Sequence, residues 1–489
     1  MTNITTNNIN LIIKKWQVFF AIAVGTFVSV LDQSSVGLAL PLIAKSFQVN
    51  IPTVQWVMVA SVLATSTMLL PMGRLSDIIG RKKIIIIGIL IFTLAAILCG
   101  FAQNIQILIT ARLFQGLGAA MFQANAMAIL TQTFPDNERG KVIGLYMTVV
   151  GLGAVAGPIF GGGLAGILGW RFIFIGMVPF SIISLIMIQM MIPLDKTNLL
   201  QRPKFDWIGA AIWVSTLSIF LLAIGNAQKI GWGSTIILSA LLVSLFLFVI
   251  FILWEIRNSE PMINMSLFKN RTFSFSCGAN VLVFLASAGT FFLMPFFLQG
   301  VLNLSPQQTG LIFVPTTLTF AITGTISGRI SDKFGTRWPT IFGLTIIVLS
   351  ALVLSTLNEN SSYITVIIGM SMQAFGMGMF FTPNSSIILG AVNTKDYGIT
   401  TALINMIRNT THIVGIAITT SIISLIMLNN GFEPSLDIDL SSPNAELIKK
   451  SFSDGMRLVF MASIFISSIA LLLSLLLNIG NSGIPKQKN

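Results

Sequence analysis

The chain has 489 residues, of which 54% are hydrophobic and 9% charged, and its mean hydropathy is +0.88. Soluble domains carry about 25% charged residues, so the composition excludes a soluble globular protein. The net charge of +12 lies mostly in short connections between apolar runs, which argues against nucleic acid as a partner. Two cysteines, Cys99 and Cys277, both in apolar runs, exclude a disulfide framework and a metal-ligand spacing.

Apolar runs of 18 residues or more recur along the whole length, the signature of membrane-spanning helices and not of barrel strands. Fourteen spans are predicted, at about 17–41, 55–75, 84–102, 105–132, 141–169, 172–193, 207–228, 234–256, 272–300, 308–328, 339–357, 361–386, 398–428 and 457–480. The first sixteen residues are polar and Lys14-Lys15-Trp16 precedes the first span. That span is too long for a signal-peptide core and no small-residue cleavage site follows it, so it is expected to be retained. Very short turns such as Gln103-Asn104 imply antiparallel neighbours and a helical bundle.

Span 1 contains Asp32, the only carboxylate deep inside any apolar run. A charge there costs about 3 kcal/mol on insertion scales, so an intramembrane acid is by default a functional candidate. A structural ion pair or a carboxyl held protonated is the plain alternative. Arg112, in span 4, and Arg408, in span 13, are the cations inside spans. Arg112 lies roughly 10 Å and Asp32 roughly 13 Å from the same face at 1.5 Å per residue, so the two can meet if their spans are adjacent. A neighbouring arginine favours a charged carboxylate and desolvation favours a neutral one. Opposed influences suit a group that loads and releases a proton as water access changes.

Lys and Arg in the connections set the orientation. Twenty of the 28 fall on the side that holds both termini and six on the other, which makes the termini cytoplasmic. The segment of about 429–456 is the one long external stretch, expected as a solvated loop or hairpin with Glu433, Asp437, Asp439, Glu446 and Asp454.

One internal repeat is legible. Gly73-Arg74-Leu75-Ser76-Asp77-Ile78-Ile79-Gly80-Arg81-Lys82 follows span 2, and Gly328-Arg329-Ile330-Ser331-Asp332-Lys333-Phe334-Gly335-Thr336-Arg337 follows span 10, 255 residues later. An offset of eight spans in fourteen means six plus two plus six. Parallel six-span repeats are a transporter architecture with the substrate site near mid-membrane between the halves. The expected divisions are 1–193 for the first bundle, 194–271 for linkers and two extra spans, and 272–489 for the second bundle. Glycines permit a tight cytoplasmic turn. An aspartate there can cap a helix start or pair with the following arginines, a cluster able to hold the halves together in one state. Plain positive-inside anchoring is the alternative.

Gly153, Gly157 and Gly161 in span 5 lie on one helix face, where small residues let another helix approach closely. Pro158 removes a backbone donor and kinks the span. Arg408 and His412, four residues apart, share a face of span 13. His412 is the only histidine, and a hydrogen-bonded core residue is the alternative to a proton carrier. Gln33, Asn125, Asn280, Gln299, Gln373, Asn384 and Asn405 are polar residues in or near spans that could line a path. Thirty-seven Phe, 22 Met and 8 Trp favour an adaptable apolar cavity.

The loop at 73–83 resembles the signature loop of the major facilitator superfamily. Arg112-Leu113-Phe114-Gln115-Gly116-Leu117-Gly118-Ala119-Ala120 resembles its fourth-span motif. Gly153 to Gly162, with Gly157, Pro158 and Gly161, fills the fixed positions of the antiporter motif of the fifth span. Leu31-Asp32 to Ala39-Leu40-Pro41 resembles the first-span motif of the fourteen-span drug:proton antiporters, with Ser35 and Gly37 as departures. The resemblance implies a major facilitator fold of two six-helix bundles plus two inserted helices. It implies proton-coupled efflux of amphipathic small molecules, multidrug efflux and antibiotic resistance from the cell (inner) membrane, with Asp32 and Arg112 in proton coupling and the Gly153–Gly162 motif as a gating seam.

A carrier with one dedicated substrate, such as a siderophore, metabolite, lipid or metal–tetracycline complex, is the alternative. A membrane-embedded enzyme finds no support: there is no His-Glu-x-x-His, metal-spaced Cys/His set or nucleotide loop. No cofactor and no metal are expected. The partners are the amphipathic substrate, protons and the lipid bilayer, with a periplasmic adaptor conceivable where the host has two membranes. The second half lacks a clear intramembrane acid, which argues against a dication preference.

Overall fold

The computed structural model of the chain describes residues 2–135, 138–192, 205–258, 262, 265–392, 397–433 and 444–476. Fourteen helices in it are long and apolar enough to cross a membrane. In chain order they are α1 (Thr2–Phe47), α2 (Trp56–Ile79), α3 (Arg81–Gly100), α4 (Ile105–Thr133), α5 (Arg139–Ile167), α6 (Arg171–Met191), α7 (Trp207–Ile230), α8 (Thr235–Arg257), α9 (Arg271–Phe296), α10 (Pro306–Phe334), α11 (Arg337–Leu354), α12 (Tyr363–Gly390), α13 (Tyr397–Asn429) and α14 (Ala445–Leu476).

In hydrocarbon every backbone polar group must be satisfied within the segment, which selects helices. Polar side chains inside the spans obey the same rule. Thr26 donates to the Ile22 carbonyl, Ser34 to Val30, Ser35 to Leu31 and Thr65 to Ser61, each one turn back. Helix starts are capped by the residue types expected there. Asn104 accepts from Ile107 N, Ser234 from Ile237 N, and Ser305 forms a capping box with Gln308 ahead of Pro306.

Two six-helix bundles result. In the first, α4 packs on α2 and α3, α1 on α5 and α6, and α3 on α6. In the second, α12 packs on α10 and α11, α9 on α13 and α14, and α11 on α14. Each pair recurs eight helices later, as the sequence repeat predicts. The bundles meet through α5 against α10 and α2 against α13, again an eight-helix-related set. The insert α7–α8 leans on α2 and α13 through α7. Its second helix is peripheral: 17% of the apolar stretch of α8 is buried, against 78% for α9. Leu242, Leu245 and Phe246 of α8 are exposed, as a lipid-facing surface requires.

Three expectations are corrected. The repeated Gly-Arg-x-Ser-Asp stretches are mostly helix, not loop. α2 continues to Ile79 and α10 to Phe334, so Gly73 and Gly328 lie inside helices against Ala124 and Thr382. The turn itself is made by Gly80 (φ 108°) and Gly335 (φ 84°), in regions that only glycine occupies easily. Next, α14 begins at Ala445 rather than near 457, because Phe452 and Met456 carry its buried face a further three turns. Glu446, Lys449, Lys450, Asp454 and Arg457 are therefore helical, and Asp437 and Asp439 lie outside the described residues. Last, Glu255 is a second buried acid, 2% exposed near the end of α8. Its place beside a helix terminus hides it from a search for mid-span charges. The side chains of Asp77 and Asp332 lie outside the described residues.

Candidate functional site

The end of the bundle that holds Gly80 and Gly335 is called here the motif end. Towards the other end, α1 and α4 bring Asp32 and Arg112 together, as their matched depths allow for adjacent spans. Arg112 Nη1 donates to Asp32 Oδ1 at 2.8 Å and Oδ2 at 2.9 Å. The same nitrogen donates to Gln115 Oε1 at 2.7 Å, and Nε donates to the Val57 carbonyl at 2.9 Å. Gln115 Nε2 returns a bond to Asp32 Oδ1 at 3.1 Å, and the Cys99 thiol donates to Gln115 Oε1 at 3.7 Å. The guanidinium carbon lies 5.7 Å from the centre of the Phe174 ring. Asp32 and Arg112 are each 2% exposed and Gln115 is fully buried.

Each part follows from local sequence. Arg112 and Gln115 are three apart on α4, hence on one face. Val57 is the second residue of α2, just after a buried turn at Ile51–Val54. Gln115 enters the sequence reading only as part of the fourth-span motif, with no role assigned to it, and its i, i+3 spacing from Arg112 is the signal for one; the Val57 carbonyl and Phe174 carry no such signal. A buried pair is stable only when its remaining donors and acceptors are satisfied, and that is what Gln115 and Val57 supply.

The glycine face of α5 packs on α1, within its own bundle. A side chain at Gly153 would meet Val30, at Gly157 Ser34, and at Gly161 the Ser35 carbonyl. These contacts flank Asp32 on its own helix. The opposite side of α5 makes the seam between bundles. A Cβ at Gly162 would lie 2.7 Å from the Pro306 carbonyl, and one at Gly310 would lie 2.6 Å from the Pro158 carbonyl. The seam thus runs through Pro158 and Gly162 rather than through the three-glycine face.

Among the described residues, two side-chain hydrogen bonds join the bundles at the end away from the motif. Gln299, in a π-helical turn at Phe297–Val301, donates to the Leu38 carbonyl at 2.9 Å. Thr420 of α13 donates to Gln55 Oε1 at 2.8 Å, and Gln55 Nε2 reaches the Gly225 carbonyl of α7 at 3.4 Å. Gln55 stands two residues from Val57, so this junction covers the Asp32–Arg112 pair.

The remaining candidates divide into two groups. Asn384 Nδ2 donates to Asn280 Oδ1 and to the Ser276 carbonyl, both at 3.1 Å, and so ties α12 to α9. Asn125 donates to the Met121 carbonyl of its own helix, while its Oδ1 and the Oε1 of Gln373 are buried without a partner among the described residues. Gln33, Asn405, Arg408 and His412 are half-buried, the last three on one face of α13. No group of three or more His, Cys, Asp or Glu able to hold a metal occurs among the described residues.

A family model described as Major Facilitator Superfamily matches residues 22–416 and 276–487. The chain is 31% identical over 407 residues to the riboflavin transporter RibZ of Clostridioides difficile, covering 83% of this chain and 87% of RibZ. It is 28% identical over 424 residues to the multidrug resistance protein Stp of Mycobacterium tuberculosis, covering 86% and 78%. Among solved structures, a bacterial homologue of the human lysosomal transporter Spinster superposes with a TM-score of 0.65 at 17% identity, over 94% of this chain and 96% of that one.

Proposed function

The chain belongs to the major facilitator superfamily, and from that premise we propose that it exports amphipathic small molecules in exchange for protons by alternating access of its two bundles. The observation that carries the reading is the buried Asp32–Arg112–Gln115 set. With the termini cytoplasmic, the motif end faces the cytoplasm and the Gln55–Thr420 junction faces outward. The bundles are read as 1–193 and 272–489, with 194–271 as linkers and insert, in the cell membrane.

In this reading the outward end is closed in the state described. Opening it breaks Thr420–Gln55 and Gln299–Leu38 and draws on the turn that carries Val57. Water then reaches Asp32, whose carboxylate takes an external proton as the Arg112 bond is released. Return to the closed state brings the protonated acid beside Arg112 again, and the proton leaves toward the cytoplasm as the ion pair re-forms. Substrate and proton use one conformational cycle, so outward movement of substrate is linked to inward movement of protons. His412 is an auxiliary proton carrier on this reading, and the Gly80 and Gly335 turns with Asp77, Arg81 and Asp332 form the cytoplasmic gate.

The test is dye or drug movement in proteoliposomes under an imposed pH gradient. Transport should follow the gradient in the wild type and lose that dependence in Asp32→Asn. Equal coupling in the variant would remove Asp32 from the mechanism. A second reading, a carrier dedicated to one substrate, draws support from the similarity to RibZ. Movement of riboflavin alone, among a panel of amphipathic compounds, would favour it.

A further inference from the structure

The interior of the bundle holds more positive than negative charge at its centre. Asp32 is committed to Arg112. Arg408 has no ion pair and no hydrogen bond among the described residues, although it lies within the protein. No residue from Ala402 to Ser424 is exposed, so this stretch of α13 does not face lipid. Arg408 is only half-buried within that stretch, so its guanidinium opens onto internal space.

Among the described residues, the helices around it offer no carboxylate at its level. α5, α9, α12 and α13 contain no acidic residue. Asp77 is two residues from the end of α2, Asp206 caps the start of α7, and Glu446 and Asp454 of α14 lie toward the other end of the bundle. Arg408 is eleven residues into α13, roughly 16 Å from its start at 1.5 Å per residue. Tyr146 of α5, in the other bundle, lies near enough for its phenol to interact with the Arg408 charge, and it also interacts with Thr26. His412 and Asn405 continue the same face of α13 one turn either way. The cluster sits on the motif-end side of Asp32, between the two bundles.

An arginine held in a low-dielectric interior without a counter-charge is costly. Its planar donors match an oxyanion, and the phenol and imidazole add hydrogen-bonding groups on two sides. We propose that Arg408, Tyr146 and His412 form the docking site for the anionic group of the transported molecule, which makes the substrate class amphipathic organic anions bearing a carboxylate or similar oxyanion. The proposal rests on the reading of the chain as a small-molecule exporter and specifies its substrate. It also accounts for the missing acid in the second bundle: a site built for cations would carry one.

Fluorescein and rhodamine 6G share a ring system and differ in the sign of their charge. Equilibrium binding of each to the purified full-length protein in nanodiscs, read by fluorescence anisotropy, tests the assignment without any need for transport. Wild type should bind fluorescein at least about tenfold more tightly, the usual worth of a charged hydrogen bond. Arg408→Gln should weaken fluorescein binding about tenfold and abolish that preference, while rhodamine 6G binds at least as well as to the wild type, which also reports that the variant is folded. Arg408→Lys should keep most of the preference. Equal or tighter binding of rhodamine 6G by the wild type overturns the proposal, as does binding of neither dye or a preference unchanged in Arg408→Gln. Should Arg408→Gln not fold, the wild-type preference and its retention in Arg408→Lys decide. Proton coupling is read separately, from dye movement under a pH gradient. Tight fluorescein binding with no response to the gradient would sink the antiport reading and leave the substrate class standing.

Discussion

At the scale of single residues, the most consequential object is the hydrogen-bonded set around Asp32. Removing one partner of a buried ion pair strands the other charge, at about 3–5 kcal/mol. Arg112→Leu is therefore expected to lower stability by that amount, seen as a large drop in thermal midpoint in detergent. Asp32→Asn keeps the shape but strands the buried Arg112 charge, so it should cost a comparable amount of stability while also abolishing the response to a pH gradient. Gln115→Leu removes a bond donated to the Asp32 carboxylate and one accepted from the Arg112 guanidinium. Transport should fall by roughly tenfold, in line with about 1–3 kcal/mol for unsatisfied buried groups. Retention of wild-type rates would show that Gln115 is packing only. The ion pair itself was legible, because two mid-span charges at one depth have few other partners. The Val57 carbonyl was not, because backbone acceptors leave no mark in a side-chain pattern.

At the scale of elements, α5 and the two glycine turns decide how closely helices approach. The Gly157 position abuts Ser34 on α1, and Ser34 also donates to the Gly153 carbonyl at 3.3 Å. Gly157→Ala should overpack that contact and cost about 1–3 kcal/mol, with a lower thermal midpoint as the readout. Gly335 has open space where a Cβ would go, so a substitution there isolates backbone strain. Gly335→Ala is expected to destabilise by about 1–3 kcal/mol through its φ of 84° alone, and an unchanged midpoint would contradict this. The glycine spacing announced a close approach but could not name the partner. A stripe of small residues fits any facing helix, and only the packing chose α1 for one side of α5 and α10 for the other.

At the scale of the whole molecule, the two bundles are joined by a few specific bonds. Gln299–Leu38 and Thr420–Gln55 lie at the end away from the motif turns. Losing two such bonds removes about 1–3 kcal/mol of closure, enough to shift a two-state equilibrium roughly 5- to 150-fold. The double variant Gln299→Leu with Thr420→Val should therefore populate a form open at that end. Spin labels at Ser46 and Asn303, exposed positions on either bundle, would report a longer distance in the variant. An unchanged distance distribution would show that backbone packing at Pro158, Gly162 and Gly310 suffices to hold the closure.

The sequence by itself determined the class, the number of spans and the six-two-six plan, and it set Asp32 and Arg112 at depths where they could meet. Those features rest on hydrophobic length, on repeated motifs and on the high cost of burying a lone charge, all of which are written locally along the chain. Tertiary structure alone decided which surfaces meet. It placed the Gln55–Thr420 junction over the ion pair, turned the three-glycine face towards α1, and left Arg408 near Tyr146 with no ion pair among the described residues. These depend on how helices far apart in the chain are rotated about their own axes. In a span that is apolar all round, hydropathy sets no such rotation, and side-chain packing must settle it.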